Sequence, residues 1–157
     1  WNCDLEEQEV SLWEKVFSVN VSAPFILCQK LISQLAKANG SIINISSIYG
    51  VVAPDIDIYE DTEIHNPAGY ALSKSSLNQM TKWLSSYSAP NVRVNSIILG
   101  GVKRNQSDLF IKNYCKKVPL QRMANPEDIK GAIIFLGTDL SAYTTGSYVY
   151  VDGGWGA

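Results

Sequence analysis

At 157 residues and 46% hydrophobic content the chain is long enough to bury a core, and a formal charge of −2 with no dominant basic face excludes a nucleic acid as the natural partner. Cys3, Cys28 and Cys115 are odd in number and form no CxxC pair, which argues against a disulfide framework and a zinc site and fits a reducing cytoplasm. No apolar run of membrane-spanning length stands uninterrupted, since Pro24 and Cys28 break the longest, and no repeat or low-complexity segment occurs.

A helix is predicted over roughly 9–38, with Trp13, Val16, Phe17, Pro24, Leu27, Cys28, Leu31 and Leu35 along its apolar side and Asn20 on the same side. Pro24 has no N–H to give the carbonyl four residues back, which is that of Asn20. A bend is expected there, with a side chain or a held water serving the freed carbonyl; an ordinary proline kink is the plainer alternative. The β-branched run Ser41–Ser47 follows Gly40 and reads as a strand buried on both faces, as in a parallel sheet. Ser46 and Ser47 fall at its carboxyl end, where open α/β sheets place their ligands. They either hydrogen-bond a substrate carbonyl there or merely end the strand.

Asn66-Pro67 reads as the start of the next helix, with Asn66 as the cap and Pro67 in the first helical position. Tyr70 and Lys74 then stand four residues apart, so the phenol and the ammonium share one face. A phenol of pKa near ~10 is a poor acid or base at neutral pH, and a cation beside it stabilises the phenolate. A tyrosine tuned in this way can exchange a proton with a substrate oxygen. Tyr70, Lys74, Leu77, Thr81 and Leu84 make one stripe at helix period, which turns the pair inward, where a lysine needs a partner or a ligand.

Two further strands are predicted at about 92–98 and 147–152, giving a narrow three-stranded parallel sheet with an unpaired apolar edge. Between them Lys103, Arg104, Lys112, Lys116, Lys117 and Arg122 either meet a phosphate or carboxylate of a substrate or form the wet face of an amphipathic helix. Asn125 as cap, Pro126 at the first position, Glu127 and Asp128 on the helix dipole and Gly137 at the end mark one more helix.

Taken in order, these pieces resemble the short-chain dehydrogenase/reductase family. The likeness runs through Asn20 in Ser18-Val19-Asn20-Val21, Ser47 in Asn44-Ile45-Ser46-Ser47, and the Tyr70/Lys74 pair. It continues through Asn91–Ile97, Leu120–Ile129 and Gly146–Gly154, and so covers nearly the whole chain. The resemblance implies an α/β fold with a Rossmann-like, doubly wound parallel sheet. It also implies an enzyme that moves a hydride between NAD or NADP and a carbonyl or alcohol carbon. By the same likeness Tyr70 is the general acid/base, Lys74 tunes it and holds the nicotinamide ribose, Ser47 polarises the substrate oxygen, and Asn20 holds a water that links Lys74 to solvent. The backbone of Leu99, Gly100 and Val102 would meet the nicotinamide, and the family's interfaces imply a homodimer or homotetramer. The alternative is a non-catalytic binding or scaffold protein built on half of the fold.

The chain departs from the family in four places. No glycine-rich phosphate turn occurs, and the chain opens at Trp1. Residues 1–157 are therefore expected to be the carboxyl-terminal part of one dinucleotide-binding domain, with about 100 residues of amino-terminal half lying elsewhere. Leu99 replaces the usual proline, and Arg104 replaces the usual threonine. The 22 residues between Ser47 and Tyr70 make an unusually long connection, with Asp55, Asp57, Glu60, Asp61, Glu63 and His65 in it. That loop must lie by the substrate pocket, although a solvated surface segment is its plainest description. Its Tyr59-Glu60 and Asn66-Pro67 pattern is similar to that of sugar-nucleotide-modifying relatives, and the whole stretch to bacterial oxidoreductases of flagellin-glycan synthesis. A sugar is the expected substrate.

Overall fold

Parallel strands can be joined only by a crossover that climbs back over the sheet, so an alternation of buried strand and long helix already limits the topology. The structure, a computed structural model, describes residues 3–157. Strands β1 (Ser41–Ser47), β2 (Arg93–Leu99) and β3 (Tyr148–Val151) lie parallel in the order β1-β2-β3. Ser47 pairs with Leu99 and Leu99 with Val151, which brings the three carboxyl ends level. Helices flank this sheet in the expected Rossmann-like α/β arrangement. Val94–Ile98 of β2 is buried throughout, as a central strand must be. β1 is an edge strand whose Ile45 is 41% exposed, so burial on both faces holds for β2 and not for β1.

The long first helix is observed as α1 (Val10–Phe17), a π-helical turn (Ser18–Ser22) and α2 (Ala23–Lys37). Pro24 produces no break; the chain widens around Asn20 instead, and the Ala23 N–H donates to the Ser18 carbonyl five residues back. A π turn holds one residue more than the same span of α-helix, so everything beyond it is rotated by about 100°. For that reason the single apolar stripe expected for 9–38 does not exist. Leu12, Val16 and Phe17 turn inward from α1, while Cys28, Ile32, Leu35 and Ala36 do so from α2, and Leu27 and Leu31 are left 60% and 43% exposed. The uninterrupted helical span Val10–Lys37 is, by length and composition, long and apolar enough to cross a membrane, contrary to the sequence expectation. Proline and cysteine did not interrupt it.

Helix α3 (Ala68–Ser88) starts one residue later than expected. Pro67 occupies the cap position in extended conformation, and the first free N–H, that of Ala68, donates to the side chain of Gln8 at 3.1 Å. Asn66 does not cap the helix; its amide donates instead to the Tyr59 phenol at 3.2 Å. The inward face of α3 is bonded to the sheet by polar groups. The Asn44 amide donates to the Thr81 hydroxyl at 2.8 Å, Ser96 Oγ to the Asn44 carbonyl at 3.1 Å, and Ser46 Oγ to the Lys74 carbonyl at 3.2 Å. Beneath them Leu84 packs with Cys28, Val92 and Val94.

Two helices complete the chain, α4 (Asp108–Lys117) and α5 (Pro126–Gly137). Arg122 grips both oxygens of Asp128, at 2.7 and 2.9 Å, and Asp128 also accepts the Asn125 N–H, which fixes the turn into α5. The cysteines are free thiols.

The acidic insertion is not merely solvated. Its short 3-10 turn Ile56–Tyr59 buries Ile58 to 1% exposure against Phe110, Tyr114, Val118 and Met123. Lys117 at the end of α4 reaches Asp55 at 2.9 Å and Asp57 at 3.8 Å. Ile58→Ala is therefore expected to cost about 2–4 kcal/mol, the range for emptying a buried aliphatic site, whereas a loop held by solvent alone would change by less than ~0.5 kcal/mol. Urea unfolding measures the difference. Arg122 holds the Asp128 carboxyl at about 2, below its ordinary 3.8, so the pairing stabilises the folded state above about pH 4 and is lost as pH falls through about 2. Asp128→Asn should lower the urea midpoint at pH 6 and make little difference at pH 2.

Candidate active site

At the carboxyl end of β1 the chain turns sharply through the 3-10 turn Ile48–Gly50, and Ser47 caps it. Its Oγ accepts the Tyr49 N–H at 3.2 Å, which leaves the Ser47 hydroxyl hydrogen able to donate outward. Only glycine fits at position 50, because a Cβ there would stand 2.8 Å from the Lys74 backbone carbon. That close approach seats the turn directly on α3 and brings Ser47 beside Tyr70 and Lys74.

These three residues line one cavity of about 380 Å³, a size suited to a small substrate with the ring of a cofactor. Lys74 Nζ donates to the Ile45 carbonyl at 2.9 Å and lies 5.8 Å from the centre of the Tyr70 ring. Burial pulls the Lys74 ammonium below its ordinary pKa. Asn20 stands apart from this cavity. It lines a separate hollow on the other side of Tyr70, with its amide donating to Ser73 Oγ at 2.9 Å, and Ser73 in turn donates to the Tyr70 carbonyl at 2.8 Å. Asn20 thus reaches Tyr70 through the helix backbone.

The segment Leu99–Val102 forms the opposite wall. A Cβ on Gly100 would lie 2.8 Å from Asp152, and one on Gly101 2.8 Å from the Tyr114 ring, so two glycines are what let this backbone close in. Its polar groups are largely committed. Gly100 N donates to Val151, Gly101 N to the Tyr114 phenol at 2.5 Å, and Ala124 and Lys103 bracket Val102 in an isolated bridge. Among the described residues the Val102 N–H keeps no acceptor, which leaves it available to an amide of a bound ring. The cradle therefore fits the nicotinamide end of a dinucleotide. No group of three metal-ligating side chains occurs among the described residues.

Of the basic stretch, Arg104 lines the cavity and among the described residues its guanidinium is unengaged, while Lys117 and Arg122 are spent on Asp55, Asp57 and Asp128. Sequence reasoning did not single out Tyr49 or Tyr114, and it took Tyr59 only as part of a pattern. All three phenols line the cavity, and burial is the largest cause raising the pKa of each. The Ser-Ile-Tyr-Gly run after β1 was the available signal for Tyr49. Nothing in the local sequence marks Tyr114, which reaches the site from a distant helix.

Residues 2–156 match the family described as Enoyl-(Acyl carrier protein) reductase. The chain is 39% identical over 118 residues to the Post-translational flagellin modification protein A of Campylobacter coli, a match that covers 74% of this chain and 46% of that protein. It is 31% identical over 150 residues to the 3-oxoacyl-(acyl-carrier-protein) reductase FabG of Thermotoga maritima, with 90% of this chain and 56% of that one covered. The crystal structure of a short chain dehydrogenase from Leptospira borgpetersenii with bound NAD+ superposes on it with a TM-score of 0.93 at 38% identity, covering 100% of this chain and 61% of that one. The chain spans about half the length of the curated relatives it matches. With these matches and this fold, the chain belongs to the short-chain dehydrogenase/reductase family.

Proposed function

We propose that this chain carries the catalytic portion of an oxidoreductase that transfers a hydride between NAD or NADP and a carbonyl or alcohol carbon of a small, oxygen-rich substrate. The observation that carries it is the meeting of Ser47, Tyr70 and Lys74 on one cavity whose far wall is the glycine backbone at 100 and 101. When bound, the nicotinamide supplies the carbon that gives or takes the hydride. The protein supplies the rest. Ser47 donates to the substrate oxygen and fixes the carbon before the wall at Val102. Tyr70 gives that oxygen a proton in the reductive direction and takes one in the oxidative direction. The Lys74 ammonium, 5.8 Å from the Tyr70 ring, lowers the cost of negative charge on the phenol oxygen as the proton moves. Asn20 positions the first turn of α3 through Ser73, whose hydroxyl donates to the Tyr70 carbonyl.

A cavity with aromatic walls and phenol hydroxyls supports a sugar as substrate. Arg104 gives the pocket a cation for an acidic or phosphorylated sugar. A homo-oligomer in the cytoplasm is part of the same proposal. It is supported by the exposed apolar residues Phe25, Ile26 and Leu27 on α2, the exposed Trp83–Tyr87 stack on α3, and three free thiols.

Turnover with NAD+ or NADP+ and a panel of sugars tests the activity. Tyr70→Phe is expected to lower kcat by about 10²–10⁴-fold, the usual contribution of a positioned acid/base, and a variant with full turnover would sink the mechanism. Arg104→Ala is expected to raise KM for a carboxylated or phosphorylated sugar by about tenfold with kcat little changed, since a charge-assisted hydrogen bond contributes on that order. An unchanged KM would remove Arg104 from substrate binding.

A further inference from the structure

The acidic insertion delivers Tyr59 into the cavity, where its phenol bonds the Tyr49 phenol at 2.8 Å. The Asn66 amide, from the other end of the same insertion, donates to the Tyr59 oxygen at 3.2 Å. Two phenols own two hydroxyl hydrogens, and one is spent in the bond between them. Asn66 adds a donor to the pair and takes none away. Among the described residues the second hydrogen has no acceptor, and both phenols face the cavity shared with Ser47, Tyr70 and Arg104. Burial keeps both phenols neutral, and therefore donors, across the working pH range. The ring of Tyr49 is held edge-on to Trp155 and that of Tyr59 against Phe110, so neither hydroxyl is free to swing away.

We propose that Tyr49 and Tyr59 form a donor pair that selects the substrate: the spare phenol hydrogen binds a second oxygen, on a carbon near the reacting one, while Ser47 and Tyr70 handle the first. The inference rests on the oxidoreductase reading and deepens it, because it assigns vicinally oxygenated alcohols and ketones as the substrate class. A neutral hydroxyl pair suits an uncharged hydroxyl or ring oxygen, and Arg104 remains to serve any acidic group farther along the substrate. An alcohol without the second oxygen leaves a buried donor unpaired, which is the stronger source of discrimination.

The test compares trans-1,2-cyclohexanediol with cyclohexanol, two probes that differ by one hydroxyl, with NAD+ and NADP+ each supplied to the native polypeptide. The ratio of kcat/KM for diol over monol is expected to be about tenfold, the contribution of one hydrogen bond, and to fall to about one when both phenols are replaced, in Tyr49→Phe with Tyr59→Phe. Each substitution keeps its ring, so packing survives, and the comparison of the two probes on the unsubstituted protein needs no variant. A ratio near one in the unsubstituted protein, or a ratio that the folded double variant retains, overturns the pair. The thermal midpoint with each probe at equal concentration gives a reading independent of turnover. The diol should raise it more than the monol, and should lose that advantage when both phenols are replaced. Equal shifts overturn the pair even if oxidation is seen. A diol-specific shift without oxidation by either cofactor keeps the pair and overturns the oxidoreductase reading instead.

Discussion

The seam between α3 and the carboxyl end of β1 governs the rest of the structure. Lys74 is bonded there twice: its ammonium donates to the Ile45 carbonyl, and its own carbonyl accepts from Ser46. A charged donor on a backbone oxygen is among the stronger hydrogen bonds a protein makes, about 1.5–3 kcal/mol, and breaking it would strand a half-buried cation. Gly50 lets the turn after β1 press onto the same stretch of helix, with Asn78 donating to its carbonyl at 3.1 Å. Helix and strand are thereby locked in register, and the spacing of Ser47 from Tyr70 follows from that lock. The seam is thus held by polar bonds between side chains and backbone.

Local pattern carried much of this. The β-branched runs at 41–47 and near 92–98 announce strands, Tyr70 and Lys74 announce a shared helix face, and Asn125-Pro126 with Asp128 announces a helix start; each depends on residues close in sequence. What local pattern could not show was set by contacts across the fold. Asn66 was a plausible cap until Gln8, nearly sixty residues away, supplied the donor's partner from the other end of the chain. Ile58 sits in an acidic stretch whose composition suggests a wet loop, yet one apolar side chain in it finds a pocket made by α4.

Electrostatics repeats the lesson. Counted along the chain, Asp55 and Asp57 belong to an acidic run and Lys117 to a basic one, and each run looks like an independent solvated face. In space they neutralise one another and pin the insertion onto α4. Exposed pairs of this kind contribute little stability by themselves, on the order of 0–1 kcal/mol, so the clamp depends on Ile58 for its strength and on the charges for its direction. The basic stretch is thus reduced, within the cavity, to Arg104.

The π turn at Ser18–Ser22 makes helix length as informative as helix composition. It acts as a phase marker: one surplus residue sets the angle between the face α1 shows to α3 and the face α2 shows to the sheet. Winding the same residues as ordinary α-helix, with none removed, would turn α2 like a screw. The bare side chains of Leu27 and Leu31 would then swing toward the core and Cys28 away from it. Between related chains, loss of one residue here would be absorbed by loss of the π turn, so the facing of α2 survives a change of length that an ordinary helix would not tolerate.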